Sequence, residues 1–332
     1  MHRADPLVSV GRSPLALRFA HALEEQCQCT VGAPLLLAVS GGADSRALLL
    51  LTAALWKRKR ALDQLAVICV DHQLRNESAQ EAREVEKFAQ SLGVRRVVVQ
   101  TAKVSRVGNL EAAARAARWK AIATAMRRLD IAHVATAHHA DDLFESFLFQ
   151  LARKRGMDAL AALPSRAAIP VRSPRGCTLI RPLRGIRKHE LVALLESCQI
   201  DWSEDPTNAA PNQFRAQVRR LLQASGATLD PCVDGLARLC NEYAHEADQT
   251  AIATSPDTRI ASRVSLGAMS VAQRRRAVLQ LLRRAGCTAP QRKTLDMMLR
   301  AILDDEVRPR VFRFQGATVK LTRVSLCAEA IP

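Results

Sequence analysis

The sequence has no apolar stretch as long as a membrane span: runs such as Ala47–Leu55 fall well short of the roughly 20 residues a bilayer requires. Its start, MHRADPLVSVGRSPLALRFAHAL, carries basic charge but no clear apolar core with a cleavage site, and it reads as mature protein rather than a secretory signal. The cysteines lack the order of a disulfide framework. Nine stand at 27, 29, 69, 177, 198, 232, 240, 287 and 327, an odd number in a long chain, with no C-x-x-C among them. Cys27 and Cys29 form a lone C-x-C with no second pair to complete a zinc or iron–sulfur site. A reducing, cytoplasmic compartment without membrane attachment is the expectation. Repeats and low-complexity tracts are also missing. So are G-x-x-x-x-G-K-[ST] and G-x-G-x-x-G, which counts against a P-loop hydrolase and a Rossmann dehydrogenase.

Negative charge is scarce too. The formal net charge is +17, with 30 Lys/Arg against 21 Asp/Glu in residues 1–212 and 19 against 11 in residues 213–332. A surplus in both parts favours a polyanionic partner that touches more than one domain; the plainer reading is solubility alone. With 332 residues and 48% hydrophobic content, the chain has room for a large α/β core and a smaller domain.

Strand and helix signals alternate through the first part. Apolar runs at 35–40, 65–72, 94–102, 133–139 and 178–185 read as strands. Helical stretches at 45–56, 77–92, 110–128, 142–153 and 187–197 lie between and after them. This order predicts an α/β domain, a parallel β-sheet with helices on both faces, spanning residues 1–212 with its core from about 30. Pro206, Pro211 and Pro231 mark the exit. Residues 213–332 read as a smaller, mainly helical, basic domain ending in a hairpin over 307–323 that turns at Gly316.

Ser40-Gly41-Gly42-Ala43-Asp44-Ser45 falls between the first strand and its helix. Two glycines allow a tight turn and close approach of a ligand to the backbone. Free N–H groups at the helix start, with the Ser40 and Ser45 hydroxyls, make a phosphate cradle. Asp44 would repel a bare phosphate, so its presence calls for Mg²⁺ between carboxylate and phosphates. Two more segments stand at strand exits, Asp71-His72-Gln73-Leu74-Arg75 and Thr136-Ala137-His138-His139-Ala140-Asp141-Asp142, where open α/β sheets bind ligands. Asp142 is placed to cap the following helix, and Glu145 lies one turn on. The two acids suit an ammonium group or a metal; simple capping is the alternative. On the alanine-rich helix, Glu111, Arg115 and Arg118 occupy neighbouring turns. They either stabilise that helix by i,i+4 pairing or reach a nucleotide phosphate or RNA backbone.

Together VSGGADS (39–45), VDHQLR (70–75), LEAAARAARW (110–119), TAHHADDLFES (136–146), IRPLRGIRKHEL (180–191) and WSEDPTN (202–208) resemble the tRNA(Ile)-lysidine synthases of the N-type ATP pyrophosphatase (PP-loop) superfamily. The order and approximate spacing agree over residues 35–220, and the chain is similar to a compact member. The first motif marks only the superfamily; TAHHADD, Glu145, IRPL and EDPTN in combination are more specific.

The resemblance implies an enzyme that uses ATP and L-lysine to convert cytidine 34 in the CAU anticodon of tRNA(Ile) to lysidine. Attack of the cytidine O2 on the ATP α-phosphorus would give an adenylated cytidine and pyrophosphate. The lysine ε-amine would then attack C2 and expel AMP. Ser40, Gly41, Gly42, Ala43, Asp44, Ser45 and Arg118 would hold the nucleotide, with Asp44 and His138 near Mg²⁺. Asp142 and Glu145 correspond to lysine-binding acids, and Arg115 to an arginine that stabilises developing negative charge. Arg215 would belong to the substrate site. The sequence departs from the family pattern at Gln73, Trp119, Lys154-Arg155 and Ala216, which weakens the inherited role of Arg215. The oligomeric state stays open, a dimer included. Rival readings are a tRNA thiolation enzyme of the same superfamily, disfavoured by the absence of paired cysteines, and a non-catalytic tRNA-binding protein.

Overall fold

The computed structural model describes residues 6–71, 78–101, 110–153, 160–161, 163–171, 177–203, 214–251, 260–287, 290–304 and 309–330. Contacts divide the chain into two compact units, Met1–Arg238 and Leu239–Pro332. The division lies later than the boundary at 212 read from the prolines.

The first unit opens with helices α1 (Pro6–Val10) and α2 (Pro14–His21), the latter capped by Ser13 Oγ accepting from the Ala16 N–H at 3.1 Å. Then follow β1 (Leu35–Ala38), α3 (Ala43–Arg58), β2 (Leu65–Asp71), α4 (Ser78–Ser91), β3 (Arg96–Thr101) and α5 (Leu110–Leu129). The unit continues through β4 (His133–Ala135), α6 (Ala140–Ala152), β5 (Arg166–Ala168), β6 (Thr178–Ile180), α7 (Lys188–Ser197) and α8 (Phe214–Ser225) into α9 (Asp230–Ala251). Six strands form one sheet in the order β3-β2-β1-β4-β6-β5.

Five strands are parallel, as the alternating pattern predicts. The edge strand β5 runs antiparallel to β6, so the sheet is mixed. Three residues, RAA, carry too little apolar pattern to announce a strand. Alternate residues of β1 and β2 feed opposite faces. Leu35, Leu37, Leu65 and Val67 join the core under α3, whereas Leu36, Ala66 and Ile68 meet Trp119, Ile122 and Met126 of α5. Trp119, one of the departures from the family pattern, is therefore a core residue. The core also begins before residue 30, since Leu7, Val10, Phe19 and Leu23 belong to the α3 side.

The second unit adds a small sheet to the helices expected there. Its described elements after α9 are β7 (Ile260–Ser262), α10 (Arg263–Ala268), α11 (Val271–Arg284), α12 (Arg292–Ile302), β8 (Arg310–Phe314), β9 (Ala317–Leu321) and β10 (Ser325–Ala330). The strands form an antiparallel sheet, β7-β10-β9-β8, with Phe312, Phe314, Val319, Leu321 and Leu326 packed on Leu281, Leu282 and Met298. The expected hairpin is present. Gly316 turns it with φ +83°, and a Cβ there would stand 2.8 Å from the Gly286 carbonyl oxygen. Among the described residues no helix is long and apolar enough to cross a membrane.

Candidate active site

Strand order reverses between β1 and β4, and an open α/β sheet leaves its ligand crevice at such a point, outside the carboxyl ends of the strands. The Ser40–Ser45 loop leaves β1 there, and the 136–142 segment leaves β4 beside it. Gly41 takes φ +91°, which a side chain would strain, and Gly42 caps α3 in extended conformation. The loop is braced from within: Ser45 Oγ donates to the Gly42 carbonyl at 2.9 Å and accepts from the Ser40 N–H at 3.2 Å. Arg46 Nε and the Ser203 N–H both donate to the Gly41 carbonyl, at 3.0 and 3.2 Å. At Gly42 an added Cβ would meet the protein only at ordinary contact distance. Packing therefore does not demand this glycine, whereas a ligand approaching the loop would.

Asp44 in the first turn of α3 faces the adjacent segment, but its cationic neighbour is His139 rather than His138. His139 is 5% exposed and sits among three acids. Its Nε2 is 3.6 Å from Asp44 and 3.5 Å from Asp142, and its Nδ1 is 3.4 Å from Asp141. These are ion-pair separations, and Nδ1 has no hydrogen-bond partner among the described residues. Burial alone would lower the histidine; Asp142, Asp141 and Asp44 outweigh it and push the imidazole up to about 10. Burial likewise works against the Asp44 and Asp141 carboxylates, yet His139 holds both below the usual range, helped by Lys188 and by Arg187 respectively. Arg187 Nη2 reaches Asp141 Oδ1 at 3.0 Å while Nη1 reaches Asp230, and the Lys188 N–H donates to Asp141 Oδ2 at 2.8 Å. The helix begins at Ala140 rather than 142, with His139 at its N-cap, and Asp142 at N3 accepts from the His139 N–H at 3.0 Å. Sequence reasoning missed His139, although the doubled histidine was the available signal.

His138 belongs to a basic corner on the other side. Its Nδ1 lies 2.8 Å from Thr136 Oγ1. Burial, reinforced by Arg181, Arg115 and His139 and opposed by Asp142, pushes it down to about 4. Arg181 follows β6 and is 7% exposed, with Nη1 donating to the Pro164 carbonyl at 2.6 Å; Arg184, 2% exposed, donates to Ser165 Oγ at 2.7 Å. Burial and then the neighbouring Arg115 and Arg184 push Arg181 down to about 10. Its Nε has no partner among the described residues. Arg115 acts on His138 and Arg181 from α5, whereas in the sequence Arg181 and Arg184 stood out only within the IRPLRG segment. Arg118 is exposed on the same helix.

Glu145 is buried and pairs with Arg219 of α8, Nε to Oε2 at 2.7 Å. Asp142 and Glu145 hence turn to different partners. Arg215 stands in the first turn of α8, but its side chain lies outside the described residues, as do the side chains of Asp71 and Glu111 and the segments 72–75, 154–156 and 204–208. For a metal, no group of three His, Cys, Asp or Glu side chains able to hold an ion occurs among the described residues. Mg²⁺ needs only one or two carboxylates when phosphates complete its shell. Asp44 fits that role, because its buried Oδ1 has no hydrogen-bond partner among the described residues. His138, expected near the same ion, has its Nδ1 engaged at Thr136.

Residues 15–225 match the family described as the PP-loop domain (ATP_bind_3). The chain belongs to the PP-loop family. This PP-loop protein is similar to the tRNA(Ile)-lysidine synthase of Orientia tsutsugamushi, with 36% identity over 210 residues covering 63% of this chain and 46% of the relative. The enzyme of the same name from Bradyrhizobium diazoefficiens is 39% identical over 211 residues, 63% of this chain and 56% of the relative. The PP-loop chain spans about half the length of the curated relatives it matches. A solved structure of the U34-tRNA thiolase NcsA from Methanococcus maripaludis, with its 4Fe-4S cluster, aligns at TM-score 0.51 and 16% identity. That alignment covers 68% of this chain and 79% of the thiolase, a likeness of fold.

Proposed function

We propose that this PP-loop protein is a cytoplasmic RNA-modifying ligase that joins L-lysine to C2 of cytidine 34 in the CAU anticodon of tRNA(Ile), consuming ATP and releasing AMP and pyrophosphate. The observation that carries the reading is the Asp44 carboxylate, with an unpartnered buried oxygen, inside an otherwise anion-binding glycine turn. A nucleotide whose phosphates enter that turn with Mg²⁺ satisfies both features, the ion neutralising phosphate charge when bound. The lysidine synthase relatives supply the base and the amine.

The loop N–H groups hold the departing pyrophosphate while the cytidine O2 displaces it from the α-phosphorus. Arg115 and Arg181 offset the charge that develops there. His138 is neutral near pH 7, with Thr136 fixing Nδ1 and leaving Nε2 for the nucleotide. Asp142 and Glu145 take the lysine ammonium and orient it toward C2; one carboxylate accepts an ammonium proton, which frees the nitrogen lone pair to form the C–N bond as AMP leaves. The two basic units give a polyanion more than one place to contact. Thiolation would need a reactive thiol, whereas burial pushes Cys27 up to about 12 and Cys29 up to about 11.

Incubating the protein with ATP, lysine and tRNA, then analysing the nucleosides by mass, tests the reading. Lysidine should appear in step with AMP, and omission of lysine should leave adenylated tRNA. ATP consumption with cytidine 34 unchanged would refute it.

A further inference from the structure

Arg46 is the one charged side chain among the buried residues of α3, and at 9% exposure it follows directly on the nucleotide turn. Its Nε donates to the Gly41 carbonyl at 3.0 Å, its Nη2 stands 3.8 Å from Glu84 of α4, and its guanidinium lies 5.2 Å from the Phe88 ring centroid. Burial pushes the guanidinium down against the charges of Glu84 and Asp201. A cation in that place is costly, and the apolar core around α3 does not require it. The turn does. The peptide between Gly41 and Gly42 joins two glycines, one at φ +91° and the other at φ −69°, and glycine tolerates either orientation of such a peptide. In a trans peptide the C=O and N–H point opposite ways. Whatever holds the Gly41 carbonyl therefore sets the direction of the Gly42 N–H. Turned over, the same peptide would present an oxygen instead of an N–H to a phosphate.

We propose that Arg46 is a positioning residue for the nucleotide turn: by holding the Gly41 carbonyl from the side of α4, it keeps the Gly42 N–H directed at the phosphates. The Ser203 N–H, 3.2 Å from the same carbonyl, is the second restraint. The proposal rests on the reading of the Ser40–Ser45 loop as a phosphate cradle, and adds that the cradle is held in its binding orientation before the nucleotide arrives. Affinity for the anion scales with the fraction of the protein in that orientation, so freeing the carbonyl lowers it without any contact between Arg46 and the ligand. What matters is a donor at the Nε position, not the charge. Glutamine places an amide N–H at the same distance along the side chain. Lysine keeps the charge but has a methylene there, and methionine keeps neither donor nor charge.

The test uses the full chain with Mg²⁺. ATP and, separately, inorganic pyrophosphate are titrated by calorimetry, KM for ATP and for lysine is measured in lysidine formation, and thermal unfolding checks folding. Arg46→Met and Arg46→Lys should weaken both ligands roughly tenfold, with KM for ATP rising alike and KM for lysine unmoved. Arg46→Gln should recover most of that loss, to within about threefold of wild type. Should the methionine variant not fold, the lysine and glutamine variants decide between donor and charge. Full affinity in Arg46→Lys with a loss in Arg46→Gln would make charge the cause, and equal losses in both would make it the packing of the whole guanidinium. No loss in any variant would leave Arg46 without a part. Each of these results overturns the proposal, as does a KM for lysine that rises with KM for ATP, the mark of a general disturbance. A wild-type protein that binds neither ATP nor pyrophosphate removes the cradle and the proposal together. Binding without lysidine formation refutes the ligase reading alone, and the affinities of the variants still decide the role of Arg46.

Discussion

At the exit of β4 two charged clusters of opposite sign lie side by side, and they are balanced by different means. The acidic one, Asp44, Asp141 and Asp142, encloses its own cation: His139 is held protonated at the centre, and Arg187 closes the outer side. The basic one sets Arg115 and Arg181 beside a neutral His138, with Arg184 next to Arg181, and burial together with these like charges lowers Arg181. An internally compensated cluster is a structural asset, since removing one member strands another in a dry site. A cluster of like charges weakens the fold until an anion arrives, which is the behaviour of a binding site. The short segment between β4 and α6 thus carries His138 into one cluster and His139 into the other.

Asp44 is the member of the acidic cluster that keeps an unused oxygen, and it should break the comparison most sharply. Asp44→Asn is expected to cut adenylation about a hundredfold or more with a smaller loss of stability than the other acids would give, because His139 keeps Asp141 and Asp142 when the Asp44 charge is lost. Single-turnover adenylation beside a melting curve measures both. Arg187→Gln should do the opposite. It leaves Asp141 and Asp230 without their shared guanidinium, at a cost of about 3–5 kcal/mol in urea unfolding. It also shifts acid sensitivity in a definite direction. Asp141 is depressed in the native state, so its contribution is complete above the usual carboxylate range near 4 and is lost as pH falls through the native value. Without Arg187 the native value rises toward the unfolded one, so the contribution of Asp141 shrinks and its loss is complete at a higher pH.

Arg181→Met carries the converse expectation for the basic cluster. Activity should fall roughly tenfold, whereas stability should stay within about 1 kcal/mol, since an apolar side chain replaces a buried cation surrounded by cations. A large loss of stability would show that the Pro164 carbonyl contact, not ligand charge, explains Arg181. The smallest effect concerns thiols. At pH 8 a thiol reagent should modify exposed Cys232 quickly and leave buried Cys27 and Cys29 untouched in the folded protein. Rapid labelling of Cys27 or Cys29 would reopen thiolation chemistry.

Much of the first unit was legible because its signals are local. A buried run, two glycines and a helix start occupy consecutive residues at β1, and the same strand-to-helix grammar repeats at β4. The periods of β1, β2, α3 and α5 name their buried faces without reference to the rest of the chain. Gly316 marked its hairpin by the conformation that only glycine adopts freely. Less was legible where a partner comes from far along the chain. Helices α1 and α2 join the core through contacts with α3 that no short window contains, and α8 belongs with the first unit because its apolar face meets α6.

The sequence by itself determined the family, the nucleotide turn and the set of acids at 44, 142 and 145, since these depend on residue type and near-neighbour spacing. Only the tertiary structure decided how those charges are shared. His138 and His139 are adjacent and chemically identical, yet one is neutral in a basic corner and the other protonated among carboxylates. Asp142 and Glu145 are one turn apart, yet one caps its helix and the other pairs with Arg219, 74 positions away. Charge state and pairing depend on burial and on the sum of surrounding fields, and both are set by segments that meet only when the chain folds.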